Sequence, residues 1–183
     1  NPLLEVENTW NKRISVEYRT VGSVYGEVNF LKYFNFRSTF YADISNVNNR
    51  QYSPLYYAYD PMNNTPYLYN GKTQVSENDD TYRKFQQDHI LTFRKGFGDH
   101  NLTATAGITT YYFSRFGRSG IAKPFTIGNA LPIPDDKRFW YMTSQFNDPA
   151  ATIASSGQRE YATASVLGRV LYNYKNKYYF NAS

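Results

Sequence analysis

Read in steps of two, the chain separates into runs in which apolar and polar side chains alternate. In residues 21–30, VGSVYGEVNF, Val24, Val28 and Phe30 share one side with Gly26, while Ser23, Tyr25, Glu27 and Asn29 share the other. In residues 34–45, FNFRSTFYADIS, Phe34, Phe36, Phe40, Ala42 and Ile44 lie opposite Asn35, Arg37, Thr39, Tyr41 and Asp43. A period of two belongs to half-buried β-strands, not to helices. Only Leu31, Lys32 and Tyr33 separate the runs, which predicts a hairpin. Setting Phe30 against Phe34 places Val28 against Phe36, and it places Glu27 across from Arg37 on the polar side.

The pattern returns downstream. Residues 88–97 carry Leu91, Phe93 and Phe97 on one side, and Gly98-Asp99 forms a two-residue turn. Residues 100–113 set Leu102, Ala104, Ala106 and Ile108 against Thr103, Thr105, Gly107 and Thr109. Residues 161–174 align Val166, Gly168, Val170, Tyr172 and Tyr174 opposite Ser165, Arg169 and Asn173. Lys175–Lys177 turns the chain, and YYFNAS opens a further strand. The reading is therefore all-β, with five strands and the start of a sixth. A chain that ends inside a strand reads as a slice of a larger sheet.

The connections are lopsided. Those at 31–33, 98–99 and 175–177 are minimal, whereas 46–83 and 114–160 are long. Long strands with short turns at one end and long loops at the other are the pattern of a transmembrane β-barrel, with periplasmic turns and extracellular loops. The polar sides hold Glu27, Arg37, Asp43 and Arg169, groups that need partners in a dry core and are readily satisfied in a wet or plugged lumen.

Composition sharpens this picture. The 183 residues include 19 Tyr and 13 Phe, yet the mean hydropathy is −0.65. No run of about 18 apolar residues is present, so no segment reads as a transmembrane helix. The net charge of +5 is dispersed along the sequence, which argues against nucleic acid as a partner. There is no Cys, which removes disulfides and thiolate metal sites. NPLLEVENTW lacks the basic start and apolar centre of a signal peptide; if the whole protein is exported, its signal lies upstream of residue 1.

Candidate chemistry is sparse. His89 and His100 are the only histidines and have no second ligand near in sequence. SENDD (76–80) bunches carboxylates without the spacing of a calcium loop. No nucleophile motif or phosphate-binding loop occurs, so no enzyme, cofactor or metal is expected. The strongest functional signal is YSPLYYAYDPMNNTPYLYNG (52–71). There Tyr56, Tyr57, Tyr59, Tyr67 and Tyr69 offer flat faces and hydroxyls suited to sugar rings or peptides. Trp140, in RFWYMTSQF, has the same capacity. These aromatic residues either grip a substrate or pack their own loops. Tyr172 and Tyr174, near a strand end, suit an interfacial girdle.

Several stretches are similar to SusC/RagA-type TonB-dependent receptors of Bacteroidetes outer membranes. NPLLEVENT resembles their Asn-Pro-Leu stretch, and VYGEVNFLKYFNFRSTFYADIS resembles their hairpin in which a strand ends in Leu-Lys and the next opens with Phe-Arg. QDHILTFRKGFGDHNLTATAG resembles a strand–turn–strand with Phe-Gly and His at the turn, and VLGRVLYNYKNKYYFNAS resembles a later hairpin. The four occur in order over roughly half the chain, and the two long loops carry no matching motif.

The resemblance implies a plugged barrel of about 22 strands. Residues 1–183 would be part of a single barrel domain, with the plug and the TonB-contacting segment upstream. It further implies import of an oligosaccharide or peptide with TonB-supplied energy, surrounding outer-membrane lipid, and a SusD-like lipoprotein as cap. Glu27 and Arg37 would be a structural pair facing the lumen. A soluble β-rich binding or adhesion module with aromatic loops remains the alternative at this point.

Overall fold

The computed structural model describes residues 12–70, 72–125, 131–143 and 145–183, with the backbone alone for Tyr56, Tyr69 and Asn70. The NPLLEVENT motif lies outside the described residues. The fold is all-β, with two single-turn 3-10 segments at Lys137–Phe139 and Pro149–Ala151. Strands β1 (Arg13–Phe30), β2 (Phe34–Ser53), β5 (Gln74–Phe97), β6 (His100–Ala122), β7 (Ile153–Tyr174) and β8 (Tyr178–Ala182) form one antiparallel sheet. Its order is β1-β2-β5-β6-β7-β8, an unclosed meander. Between β2 and β5, β3 (Tyr56–Asp60) and β4 (Thr65–Asn70) pair as a separate hairpin.

The strands are longer than the alternation predicts. β2 runs to Ser53 rather than 45, β5 begins at Gln74 rather than 88, β6 reaches Ala122, and β7 begins at Ile153. The expected loops 46–83 and 114–160 thus shrink to 54–73 and 123–152, and the first contains a hairpin of its own. The reason is chemical. Positions of one parity read Phe40, Ala42, Ile44 and then Asn46, Asn48, Arg50; in β5 they read Phe85 after Glu77 and Asp79. Alternation of polarity stops there, while the backbone ladder, which needs no apolar side chain, continues.

The short turns carry left-handed residues. Leu31 and Lys32 have φ of 49° and 63°, and Lys175 and Asn176 have 52° and 54°. The Lys177 N–H donates to the Tyr174 carbonyl at 3.0 Å, closing a turn whose hand suits the twist of the flanking strands. The β7–β8 register follows, with Tyr174 opposite Tyr178 and Tyr172 opposite Phe180. Gly98, at φ 58°, does the same for β5–β6 without a Cβ penalty.

The chain gathers into two compact units. One comprises Arg19–Ser45, Tyr82–Arg115 and Arg159–Ser183, the other the described residues within 12–18, 46–81 and 116–158. In the first, one sheet face is built of aromatic rungs crossing neighbouring strands. Phe30 stacks on Phe34 at 5.4 Å and Phe34 meets Phe93 at 5.0 Å. Phe36 stacks on His89 at 6.2 Å, and Phe40 on Phe85 at 6.0 Å, which in turn stacks on Tyr112 at 6.2 Å. Phe36, Phe40, Leu91, Ile108 and Val170 remain exposed. The opposite face is polar. Arg19 donates to both Asp43 oxygens at 2.9 and 2.8 Å while Lys84 reaches the same carboxylate at 3.3 Å, so three strands are tied through one buried acid. Thr109 and Gln86 likewise share Asp88.

The second unit contains the buried apolar cluster, Tyr52, Val75, Ala122, Ile133 and Trp140, with Ile14, Met142 and Phe146 against it. This core joins strand ends to the 123–152 connection.

Candidate functional site

Glu27 and Arg37 are each engaged by a different group. Glu27 accepts from Asn35 at 2.6 Å, Asn35 also donates to Asn29 at 2.8 Å, and the Arg37 guanidinium lies 4.2 Å over the Tyr25 ring. These contacts keep both residues on the polar side with Tyr25, Asn29 and Asn35. The Arg37 guanidinium rests on the aromatic face of Tyr25, and the Glu27 carboxylate takes the Asn35 amide.

The aromatic loop signal resolves into the β3–β4 hairpin. Its register sets Tyr57 against Leu68 and Tyr59 against Pro66, so these four share a face, while Ala58 and Tyr67 share the other. Tyr57 is 65% exposed and Tyr59 57%, and Tyr67 and Leu68 are also open. The side chains of Tyr56 and Tyr69 lie outside the described residues.

Local polar groups shape the tip. Asp60 accepts from the Met62 N–H at 2.9 Å and from the Asn63 amide at 2.5 Å, Asn64 takes φ 55°, and the Tyr59 hydroxyl donates to Asn64. The Asn63 amide and the Met62 N–H hold the Asp60 carboxyl below its ordinary value. A depressed folded pKa contributes stability that is present above the ordinary carboxylate pKa and lost as pH falls through the folded value. The hairpin tip should therefore loosen only below about pH 4. Hydrogen exchange at Met62 and Asn63 in the parent and in Asp60→Asn measures this. Equal protection of the two proteins at pH 7 would contradict it.

Of the two readings open to Trp140, the structure shows it packed within its own loop. It is 1% exposed and stacks on Tyr52 at 5.2 Å with the planes 7° apart. Its Nε1 donates to the Pro134 carbonyl at 3.3 Å, and the Tyr52 hydroxyl donates to the Ile133 carbonyl at 2.8 Å. The Ile133 N–H donates to Thr73 Oγ1 at 2.9 Å. Burying an indole with its N–H satisfied organises a loop; it leaves no face for a ligand. Tyr141, beside it, is exposed and carries the Arg50 guanidinium 4.8 Å over its ring.

Sequence reasoning missed a groove of about 580 Å³ in the same unit, lined by Asn48, Glu77, Asp79, Arg118, Met142 and Ser155 among others. Its residues come from segments far apart in the chain and share no motif. Asp79 accepts from Asn48 at 3.5 Å and from Arg118 at 3.4 Å. The SENDD stretch is extended, so Glu77 and Asp79 line the groove while Asn78 turns to Asp80 at 3.1 Å. Alternation thus separates the carboxylates that calcium would need together. Among the described residues no three His, Cys, Asp or Glu side chains form a metal-binding group.

No family model matches the chain, and no curated protein does. Solved structures do. The RagAB peptide transporter superposes with a TM-score of 0.64 at 15% identity, covering 93% of this chain and 17% of that one. The RagAB peptide importer in its closed-closed state gives 0.62 at 16%, and in its open-open state 0.56 at 16%, with the same coverage. This chain thus spans under a fifth of the length of the structures it matches. What it shares with them is the fold: an unclosed antiparallel meander of six strands, of the kind found within a peptide-transporter structure.

Proposed function

We propose that this chain is wall of an outer-membrane active-transport receptor of the SusC type, importing a large nutrient with TonB-supplied energy. The observation that carries the reading is the sheet's two-sidedness: exposed aromatic rungs on one face, hydrogen-bonded charges on the other. A soluble sheet would bury the first face, whereas a barrel gives it to lipid and turns the second to the lumen. The likeness to peptide-transporter structures supports peptide over oligosaccharide as cargo. A SusD-like lipoprotein and TonB, the latter through an upstream segment, are the partners this reading requires.

Fractionation of cells producing the full-length protein tests it. The protein should appear in the outer-membrane fraction and require detergent for release, with a folded form of altered gel mobility until boiled. Recovery as a monomer in plain buffer would sink the reading and favour a soluble binding module. The exposed ridge then supplies a functional test. Tyr57→Ala with Tyr59→Ala should lower uptake of a labelled peptide mixture about tenfold at subsaturating concentration, the scale of two aromatic contacts. Unchanged uptake would remove these side chains from the cargo path.

A further inference from the structure

Dispersed along the sequence, the charge is gathered by the fold. Residues 30–34, 93–102 and 173–179, which form the three short turns and their flanks, hold Lys32, Arg94, Lys95, Lys175 and Lys177 against Asp99 alone. That is five basic residues to one acidic, +4 of the chain's +5. The turns are tied laterally, since the Arg94 N–H donates to the Tyr33 carbonyl and the Lys175 N–H to the Asp99 carbonyl, both at 2.8 Å. The single acid is occupied by the Lys175 ammonium at 3.5 Å. Lys32 and Lys177, in the turns themselves, are exposed, and among the described residues no carboxylate pairs with them.

Lys95 shows which surface this charge serves. It has the parity of Leu91 and Phe93, so it sits on the apolar face, at its edge. Its Nζ lies 4.7 Å from the Tyr33 ring and 4.8 Å from the Phe97 ring. A cation whose ammonium lies over two aromatic rings at the edge of an apolar face is placed where a polar layer borders an apolar one. Near the same turns, His100 meets the Tyr172 hydroxyl at 2.5 Å and the Tyr174 ring at 4.7 Å, adding amphipathic side chains of the kind enriched at such borders.

We infer that the turn rim is a docking surface for anionic glycerophospholipid headgroups, held through their phosphate diesters by Lys32 and Lys177 of the turns. This rests on the reading that the apolar face meets a bilayer. An acidic protein segment would satisfy the charge but would leave Lys95 and the rings around it without an apolar neighbour.

The test uses the full-length protein in nanodiscs of phosphatidylcholine doped with phosphatidylglycerol, with the lipid retained on the protein read by native mass spectrometry. The parent should retain phosphatidylglycerol preferentially. Combined Lys32→Gln and Lys177→Gln should reduce that retention about tenfold at low salt, each basic residue near an anionic surface being worth a severalfold factor. The charge-keeping pair Lys32→Arg and Lys177→Arg should restore it, which separates charge from folding. No preference in the parent, or full retention in the Gln variant, overturns the inference while the receptor reading stands. Failure to enter nanodiscs at all removes both.

Discussion

A lysine at Phe40 is expected to deplete the folded, outer-membrane form of the full-length protein severely, while a lysine at Thr39 leaves it near the parent level. The two positions are adjacent in sequence and opposite in parity. Phe40 is 39% exposed and stacks on Phe85, which stacks on Tyr112, so it is the start of a rung that crosses three strands. Thr39 shares its side with Arg37, Tyr41 and Asp43. A cation facing hydrocarbon at mid-depth costs about 2–4 kcal/mol, and one facing a wet lumen costs little. Phe40 lies near the middle of the apolar run from Phe34 to Ile44, where the cost is greatest. The measurement is the amount of heat-modifiable protein in the outer-membrane fraction. Equal depletion would mean that the aromatic face does not meet lipid. Phe40→Leu separates the charge from the lost rung, and it should be far milder.

The second large effect belongs to Trp140. Replacing this indole with alanine removes the largest side chain of the Tyr52–Val75–Ala122–Ile133 cluster and leaves Tyr52 without its stacking partner. Truncation of a buried Trp costs about 3–5 kcal/mol. The loss should appear locally, as rapid cleavage of residues 131–152 by an added protease, since a loop opens independently once its own packing is gone. Trp140→Phe keeps a ring against Tyr52 but forgoes the bond to the Pro134 carbonyl and part of the indole's volume, so its cleavage should be intermediate. Cleavage of Trp140→Ala at the parent rate would show that the 123–152 connection is held by something other than this cluster.

How far the sequence reached follows from what it encodes locally. Wherever polarity alternates, as at Phe34–Ile44 and Leu102–Ile108, strand and face are both legible, because the period itself is the signal. Past Ile44 the same strand carries Asn46, Asn48 and Arg50, and a reading based on polarity stops while the backbone continues to pair. The β3–β4 hairpin was hidden for a related reason. Pro54, Pro61 and Pro66 read as loop punctuation, yet Pro61 sits in the turn and Pro66 opens onto Tyr59 in a two-stranded ladder that needs few donors. The loop core was not legible at all, since Tyr52, Val75, Ala122, Ile133 and Trp140 come from distant segments with no common period. Trp140 and Tyr57 look alike in sequence, each an aromatic residue in a Pro-containing segment, and only packing distinguishes a buried stack from an open ridge.

The change of side-chain chemistry after Ile44 also fixes a length. From Phe34 to Ile44 the strand advances ten residues, which at about 3.3 Å each is roughly 33 Å along its axis. In a barrel of the proposed kind strands tilt by about 40°, so the apolar belt would stand roughly 25 Å tall. That is shorter than the hydrocarbon of most bilayers, and a mismatch costs a fraction of a kcal/mol per ångström around the whole perimeter. Lipids with shorter acyl chains should therefore be the better folding medium, and lengthening the chains should slow insertion in proportion to the excess thickness. If the chain is the barrel wall proposed above, the place where apolar side chains give way to asparagine on one face of β2 is also a ruler for its bilayer.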